Sequence, residues 1–365
     1  MKKLRGKAVL SVALGTAIAL TVGVSANAGV ATAPVGPRPM DLANGPVEPV
    51  GSPTVIATGL KLPWSMTRLN SGSVFVSERD TALIKEIEPD GTVRTVRTVP
   101  NVRPAGEGGL LGITLSPAHK YIYAYTTTST DNRVVRMSLT GRGPGNYKLG
   151  TPTTVFSGIK KGTIHNGGRI KFGPDGYLYI TAGDTGTRTY AQSLTTKAGK
   201  IFRVSSTGRV PASNPFPHSP VWSLGHRNPQ GITWDGSGTM WESELGQDTW
   251  DELNIIVKGK NYGWPNVEGI AHNAKYKDPI YQWQPSEASP SGLLWSHGTL
   301  FMAALRGQRL WVMQPSGSTV TATAYFTGTY GRIRDVINGP NNTILVATSN
   351  GTDRILQFTL APVAP

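Results

Sequence analysis

Three side chains of this 365-residue chain, His165, Asp184 and Arg227, are of the types needed for acid–base and charge-stabilising chemistry. His165 precedes the double glycine of HNGGRIK and is the clearest candidate for a base near neutral pH. Asp184, in TAGDTG, could orient an imidazole and stabilise its positive charge. Arg227 lies in GHRNPQG beside the carboxamide of Asn228, on a turn that proline stiffens. Charged groups fixed on turns indicate a site, because packing alone does not require them.

Each of these residues also has a structural explanation. A lone histidine in a loop is more often a hydrogen-bonded structural residue than a base. An aspartate that follows a strand, as Asp184 does, is common in β-turns. The residue types alone therefore leave catalysis open, and the elements that position them have to be considered.

Those elements are β-strands from about residue 53 onward. Six runs rich in β-branched or aromatic residues recur at intervals of roughly 45–60 residues, and turn residues precede many of them. The runs are SVFVSE (73–78), YIYAYT (121–126), YLYITAG (177–183), TMWESE (239–244), TLFMAAL (299–305) and TILVATS (343–349). We expect each run to be the inner strand of one sheet. The pattern predicts an all-β, six-bladed β-propeller with four-stranded antiparallel blades, with a large β-sandwich as the alternative.

In a propeller, loops from distant parts of the chain meet at one end of a central channel, and the arginines become informative there. Arg306 in ALRGQ, and Arg332 and Arg334 in GRIRDV, join Arg227 on different blades. Because Ile333 separates Arg332 from Arg334, strand alternation puts both guanidinium groups on one face. Several such groups around one cavity repel one another unless a polyanion binds there. The set predicts an anionic ligand, although each arginine alone could be solvated.

The N-terminal segment has the composition of a signal peptide. Four Lys and Arg residues precede an uncharged apolar run over 8–24, and Ala26-Asn27-Ala28 is a small-x-small cleavage signal. A membrane anchor is the alternative, but the run is shorter than the ~20 residues that a bilayer requires. We expect a signal peptide at 1–28, a flexible Pro/Gly/Ala-rich leader at 29–52, and a propeller domain at 53–365. The mature protein would be secreted, without a membrane anchor.

Composition narrows the possible partners. The chain contains no cysteine, which excludes disulfides and thiolate metal sites. Its formal charge is +14, and loss of the four basic residues of the signal peptide would leave +10. Because the cations are scattered singly, with no run of Lys and Arg, we do not expect a nucleic-acid partner. An anionic cofactor or an anionic wall fits the basic charge better.

Several motifs together resemble those of the soluble pyrroloquinoline-quinone (PQQ)-dependent glucose/sorbosone (aldose sugar) dehydrogenase family. The matching motifs are GEGGLLGI, HNGGRIKFGPDGYLYITAGD, GHRNPQG, WESELGQDTWDELN, NYGWPNV, PSG at 290–292 and GRIRDV. They occur in the order found in the family and extend from about Leu60 to Leu360. The resemblance implies a six-bladed propeller that oxidises an aldose at C1 to the lactone by hydride transfer to PQQ. The sequence does not identify the electron acceptor that would reoxidise the cofactor.

The resemblance also implies roles for individual residues. His165 matches the general base, and Asp184 matches the acid that supports it. Arg227 matches the cation that stabilises negative charge on the quinone oxygen. The residues that match cofactor contacts are Glu107, Asn228, Arg306, Arg332 and Arg334.

Calcium is implied at two places. The carbonyls of Gly246 and Gln247 would hold a Ca²⁺ ion that polarises the cofactor, and the carboxylate of Glu252 with the carbonyl of Tyr262 would hold a structural ion. Many relatives have proline at the position of Gln247. A carbonyl ligand survives this difference, but the loop lacks the fixed φ of proline.

Two other functions remain as alternatives. The first is a non-catalytic propeller that binds a sugar or another ligand. The second is a Ca²⁺-dependent hydrolase of the lactonase type, which would need a metal held mainly by carboxylates at the channel mouth. The predicted arginine-rich mouth argues against the hydrolase, and the presence of His165 and Arg227 argues against a silent scaffold.

Overall fold

The structure is a computed structural model that describes residues 45–351 and 353–363. In this part of the chain, 25 β-strands and one 3-10 helix (Arg188–Gln192) form a six-bladed β-propeller. The predicted fold class is confirmed, and all strand pairs within the blades are antiparallel. One blade carries an additional fifth strand of two residues.

The first three blades follow one another along the chain. Blade 1 contains β2 (Pro63–Arg68), β3 (Val74–Glu78), β4 (Leu83–Ile87) and β5 (Val93–Thr98). Blade 2 contains β6 (Leu110–Leu115), β7 (Tyr121–Thr127), β8 (Asn132–Thr140), the short β9 (Lys148–Leu149) and β10 (Thr153–Ile159). Blade 3 contains β11 (Ile170–Phe172), β12 (Leu178–Ala182), β13 (Lys200–Val204) and β14 (Val221–Leu224).

The remaining blades close the ring. Blade 4 contains β15 (Pro229–Trp234), β16 (Met240–Glu244), β17 (Asp251–Ile256) and β18 (Tyr281–Trp283). Blade 5 contains β19 (Pro290–Ser296), β20 (Thr299–Ala304), β21 (Arg309–Ser316) and β22 (Thr319–Tyr325). Blade 6 contains β23 (Ile333–Asn338), β24 (Thr343–Thr348), β25 (Asp353–Pro362) and, as its outermost strand, β1 (Val47–Leu60).

The innermost strands, β2, β6, β11, β15, β19 and β23, contact one another in a closed circle around the channel. Six hydrophobic clusters lie between neighbouring blades, one at each junction. Packing between the blades therefore buries both faces of each sheet, which explains why their central strands are apolar along most of their length.

The six sequence runs form β3, β7, β12, β16, β20 and β24, which are the second strand of each blade. The prediction that they are the inner strands is therefore wrong by one strand. The second strand has neighbours on both sides and is covered on both faces, so it carries the strongest apolar signal. The true inner strands line the channel, and polar residues occur there, such as Lys171 in β11 and Arg169 just before it.

The propeller begins earlier than predicted. β1 starts at Val47, inside the predicted leader 29–52, because its backbone pairs with β25 from Val47 opposite Pro362. Gly51 has φ of 68° and lies in a register shift of this ladder, so the Pro- and Gly-rich composition is accommodated in a bulged strand. The predicted signal peptide and the rest of the leader, to residue 44, lie outside the described residues. Within the described part, no helix is long and apolar enough to span a membrane.

Candidate active site

His165 and Asp184 form a hydrogen-bonded pair, with 2.7 Å between Nδ1 and Oδ1. His165 lies in the loop before β11 with φ of 53°, and Asp184 lies two residues after the end of β12. Between the two segments, a Cβ on Gly183 would lie 2.2 Å from the carbonyl oxygen of His165. The glycine before Asp184 thus permits the close backbone approach that brings the pair together.

The Asp184 carboxylate is buried and accepts two further hydrogen bonds. The Gly186 amide donates to Oδ1, and the indole Nε1 of Trp264 donates to Oδ2, both at 2.8 Å. Burial by itself raises the pKa of Asp184, but the hydrogen bonds from His165, Gly186 and Trp264 outweigh it and lower the pKa below its ordinary value. Because Asp184 is ionised, Nδ1 of His165 carries the proton, and Nε2 is left to accept one.

Glu107 connects the histidine with the neighbouring cavity. Its carboxylate accepts a hydrogen bond from the backbone amide of His165 at 2.7 Å, and its own amide donates to the Thr163 carbonyl at 2.8 Å. Glu107 also lines the cavity described below. It therefore fixes the backbone of His165 and also contributes to the wall of the cavity, where the sequence predicted a cofactor contact.

Arg227 is adjacent to the pair, because its carbonyl accepts a hydrogen bond from the Asp184 amide at 2.8 Å. Its guanidinium donates from Nη1 to the Leu245 carbonyl at 3.1 Å, while Nε is buried and has no partner in the described chain. Burial lowers the pKa of Arg227, and the charges of Asp184 and Glu244 oppose this effect. The side chain is a cation with an unused donor.

Asn228 is fully buried next to Arg227. Its Oδ1 accepts a hydrogen bond from the Gly167 amide at 3.0 Å, which ties the double glycine after His165 to the GHRNPQG turn. Its Nδ2 has no partner among the described residues. Such buried unpaired donors are uncommon in folded proteins and are consistent with a ligand that accepts hydrogen bonds.

Four arginines surround one cavity of 310 Å³ at this end of the propeller. The cavity is lined by Trp64, Arg79, Glu107, Gln230, Leu245, Ser289, Leu305, Arg306, Arg332 and Arg334. Three of the four arginines, Arg306, Arg332 and Arg334, were predicted from the sequence, and Arg332 and Arg334 face the same cavity, as the strand alternation indicated. The catalytic candidates His165, Asp184 and Arg227 lie beside this wall and do not form part of it.

The charge of the cavity is strongly positive, since Glu107 is the one acid among its lining residues. Burial, together with the charges of Arg332, Arg79 and Arg169, lowers the pKa of Arg334 to about 9. Arg334 donates from Nη1 to Oε1 of Gln230 at 3.0 Å, and no carboxylate of the described residues forms an ion pair with it. A compact ligand with several carboxylates would fit the donor set and remove the repulsion.

Sequence reasoning missed three residues of this site, Arg79, Trp64 and Trp264. Arg79 directly follows β3, a strand end equivalent in the fold to that of Asp184 after β12. Trp64 lies 4.4 Å from Arg169 and 5.9 Å from Arg334, measured from ring centroid to guanidinium carbon. For Arg79 and Trp64 the available signal was a position at a strand end, and for Trp264 it was membership of the NYGWPNV motif, but no charge pattern assigned any of the three to the site.

The predicted calcium-bridging loop is held by carboxylates. The Gly246 amide donates to Asp251, and the amides of Gln247, Thr249 and Trp250 donate to Oε1 of Glu268. Gln247 lines a second cavity of 330 Å³ that shares Arg306 with the first, whereas Leu245 is the residue of this loop that lines the arginine cavity. The carbonyls of Gly246 and Gln247 thus belong to a loop at the edge of the site.

Glu252, on β17, is buried and lies in a cluster with two other buried glutamates, Glu242 and Glu244. Glu252 and Glu242 both accept hydrogen bonds from Nδ2 of Asn254 at 3.1 Å, and Oε1 of Glu242 has no partner in the described chain. Glu244 lies close by, with oxygen and nitrogen ligand atoms of His226, Glu242 and Glu244 all within 4.8 Å of one another. Burial and mutual repulsion raise the pKa of Glu252 to about 8 and that of Glu242 well above its ordinary value.

This acidic cluster fits a hard divalent cation, because it offers several carboxylate oxygens with an unsatisfied acceptor. Tyr262 adjoins the cluster through its ring, which stacks on His226 with 4.8 Å between centroids. The Tyr262 hydroxyl is engaged by Ile255 and Val257. The hydroxyl is therefore not free for a cation, and the carbonyl of Tyr262 stays the predicted ligand.

Comparisons with known proteins agree with these features. A family model described as "Glucose / Sorbosone dehydrogenase" matches residues 60–357. The chain is 30% identical to the aldose sugar dehydrogenase YliI of Escherichia coli (strain K12), over 83% of this chain and 91% of the relative. It is 33% identical to quinoprotein glucose dehydrogenase B of Acinetobacter calcoaceticus, over 61% of this chain and 54% of that relative.

Solved structures show the same similarity. The PQQ-bound form of aldose sugar dehydrogenase from Streptomyces coelicolor is 44% identical, with a TM-score of 0.82, over 87% of this chain and 99% of that structure. The apo form of the soluble aldose sugar dehydrogenase from Escherichia coli is 28% identical, with a TM-score of 0.76. Because the family model extends over most of the propeller, the chain belongs to the Glucose / Sorbosone dehydrogenase family.

Proposed function

We propose that this protein is a PQQ-dependent sugar dehydrogenase that oxidises an aldose at C1 to the lactone. The observation that carries the proposal is a histidine paired with a buried carboxylate directly beside a cavity of four arginines. The similarity to a PQQ-bound aldose sugar dehydrogenase supports the choice of cofactor. PQQ, when bound, supplies the two-electron acceptor for the hydride from C1.

His165 is the general base of this proposal. Asp184 holds the proton on Nδ1, so Nε2 accepts the proton of the anomeric hydroxyl as the hydride leaves C1. The ionised Asp184 then stabilises the imidazolium that results. Arg227, with its unpaired Nε, stabilises negative charge that develops on the cofactor side of the reaction.

The cofactor would be held by the arginine cavity. Arg79, Arg306, Arg332 and Arg334 provide guanidinium groups for its carboxylates, and Asn228 provides an unused Nδ2 donor. Calcium would act at two places: the carbonyls of Gly246 and Gln247 beside the cofactor, and the buried glutamates around Glu252 together with the Tyr262 carbonyl. The first ion would act as a Lewis acid, and the second would neutralise buried carboxylates.

The hydrolase alternative has less support. Its metal would have to lie at the place where the substrate binds, yet Glu242, Glu244 and Glu252 do not line the arginine cavity. The non-catalytic alternative does not account for the hydrogen bond between His165 and Asp184 beside the arginine cavity. We therefore favour the dehydrogenase.

The test is a titration of the purified protein with PQQ and Ca²⁺, in which reduction of an artificial dye is followed with a panel of aldoses. We expect saturable PQQ binding and dye reduction that depends on both sugar and PQQ. Absence of PQQ binding together with absence of dye reduction for every sugar would refute the proposal. The panel also identifies the preferred sugar.

We also propose that the protein is secreted. The support is the basic residues, apolar run and small-x-small signal of residues 1–28. Expression of the full chain in a secreting host and N-terminal sequencing of the medium fraction would test it. We expect a mature N-terminus at Gly29; a protein that stays inside the cell with its first 28 residues would contradict it.

A further inference from the structure

The central channel holds a further cavity, which is distinct from the arginine cavity and from the cavity lined by Gln247. Its volume is 220 Å³, and all six innermost strands, β2, β6, β11, β15, β19 and β23, contribute to its wall. None of its lining residues lines the arginine cavity. It has room for a small polyatomic ion together with water.

The wall of this channel cavity carries more positive than negative charge. Arg68, Arg169 and Lys171 line it, and Asp335 is the one carboxylate among its lining residues. Both oxygens of Asp335 are in use: Oδ1 pairs with Nη1 of Arg169 at 3.1 Å, and Oδ2 accepts the Met66 amide at 2.7 Å. At least one positive charge therefore has no counter-ion on the wall.

Lys171 is that uncompensated cation. Its ammonium group donates to Oγ1 of Thr233 at 3.3 Å, a neutral partner. Burial, with the repulsion of Arg169, lowers the pKa of Lys171 to about 8, and the attraction of Asp335 opposes this shift only in part. A lysine in such surroundings gains from a bound anion.

An unused donor also belongs to this wall. Arg169 is 6% exposed, and its Nη2 is buried without a partner among the described residues. Arg169 and Lys171 are two residues apart, before and within β11, so strand alternation turns both toward the channel. Arg68, on β2, shares the strand face of the core residue Met66 and also lines a separate cavity between blades 1 and 6, so its buried, unpaired Nε is not a donor of this site.

We propose that the channel cavity is an anion site that binds a small oxyanion of the phosphate class. The donors are Lys171 Nζ and the guanidinium group of Arg169, with the hydroxyls of Thr67 and Thr114 in the same wall. A tetrahedral oxyanion accepts several hydrogen bonds at once, which suits a forked guanidinium and an ammonium together. The site is independent of the proposed catalytic function, because it lies in a separate cavity.

Calorimetric titration of the full chain with inorganic phosphate at pH 7, without PQQ, tests the proposal. The arginine cavity can also bind phosphate, so the ionic strength is held constant with a bulky sulfonate and two variants are compared. We expect Lys171→Met to weaken the channel site at least tenfold while phosphate binding in the arginine cavity persists. Arg332→Ala should have the reverse effect.

The proposal is overturned if Lys171→Met binds phosphate with the stoichiometry and affinity of the wild type. It is also overturned if the single change Arg332→Ala abolishes all phosphate binding. A second measurement does not depend on any variant. Crystals of the wild-type protein soaked in selenate should show an anomalous peak within hydrogen-bond distance of Lys171 Nζ. A channel that contains only water at that position would equally refute the site.

Discussion

The indole Nε1 of Trp264 donates a hydrogen bond to Oδ2 of Asp184 at 2.8 Å, across 80 residues of sequence. Asp184 in turn binds His165 through its other carboxylate oxygen. Gln192 fixes the backbone of Trp264, because its Nε2 donates a hydrogen bond to the Trp264 carbonyl at 2.6 Å. The orientation of the proposed base therefore depends on a tryptophan that would not contact the substrate proton itself.

Replacement of Trp264 with phenylalanine should lower kcat about 10- to 100-fold, since a hydrogen bond to a charged group contributes about 1.5–3 kcal/mol. The affinity for PQQ should remain close to that of the wild type. Trp283→Phe is the matched control, because Trp283 is buried and its Nε1 has no partner in the described chain. Equal kcat values for both variants would show that the bond to Asp184 does not support turnover.

Replacement of His165 with alanine should abolish most turnover, by about 10²- to 10⁴-fold for loss of a general base. PQQ binding should persist, because the side chain lies beside the arginine cavity and not in its wall. His119→Ala is a suitable control: His119 is only half-buried and has φ of 52°, close to the 53° of His165. If His119→Ala lost activity equally, the effect would have to be assigned to backbone conformation.

Replacement of Arg79 with alanine should weaken PQQ binding about tenfold or more, because a charge-assisted hydrogen bond to a carboxylate would be lost. The double change Arg332→Ala with Arg334→Ala should weaken it further. Fluorescence titration with PQQ measures both effects, with Arg309→Ala as the control, since Arg309 lies outside the cavity and donates to the Gly307 carbonyl. Unchanged PQQ affinity in the Arg79 variant would exclude this residue from the pocket.

The buried glutamates predict an unusual dependence of stability on pH. Burial raises the pKa values of Glu244 and Glu252 from 4.5 to about 8, so the folded protein binds more protons than the unfolded chain between these values. Without a divalent cation, the free energy of unfolding should therefore decrease as pH rises from about 4.5 through 8. Calcium should restore stability at pH 8, because it binds ionised carboxylates in the folded state.

Thermal unfolding at pH 5.5 and pH 8, with a chelator or with excess Ca²⁺, measures this effect. Glu242→Gln should reduce the destabilisation at pH 8 in the chelator and reduce the gain from Ca²⁺. Glu287→Gln serves as the control, because Glu287 is exposed. A calcium effect of the same size at both pH values would contradict the assignment to these carboxylates.

Two glycines provide a comparison of backbone geometry. A Cβ on Gly183 would lie 2.2 Å from the His165 carbonyl oxygen and 3.0 Å from that of Arg227, whereas a Cβ on Gly236 would meet no atom within 4 Å. Gly183→Ala should therefore destabilise the protein by about 1–3 kcal/mol and reduce kcat, because the backbone around the base must shift. Gly236→Ala should leave both unchanged. Urea unfolding and steady-state rates distinguish the two outcomes.

The sequence predicted those parts of the molecule that depend on local patterns. The runs that became β3, β7, β12, β16, β20 and β24 predicted six blades, because strands covered on both faces are apolar and bounded by turns. The alternation around Ile333 predicted a shared face for Arg332 and Arg334. The motifs around His165 and Asp184 predicted an aspartate that supports the histidine, and the two side chains are hydrogen-bonded in the structure.

The remaining features depend on contacts between distant segments. Trp264 and Asp184 belong to different blades, and no periodicity relates them. Glu242 and Glu244 were part of a strand pattern, so their burial beside Glu252 could not be read from spacing. The start of β1 at Val47 was missed because the strand is stabilised by pairing with β25, and the intervening Pro and Gly residues have a composition typical of a linker.

The pairing of β1 with β25 has a consequence for the order of events in synthesis. Arg332 and Arg334 lie at the start of the blade that this pairing completes, while Arg79 belongs to the blade that follows in the ring. In a nascent chain, the arginine cavity is therefore incomplete until β25 has been synthesised and has paired with β1. With the proposed cofactor, we expect binding to be a late step of folding, and PQQ bound between blades 6 and 1 to stabilise the closed ring.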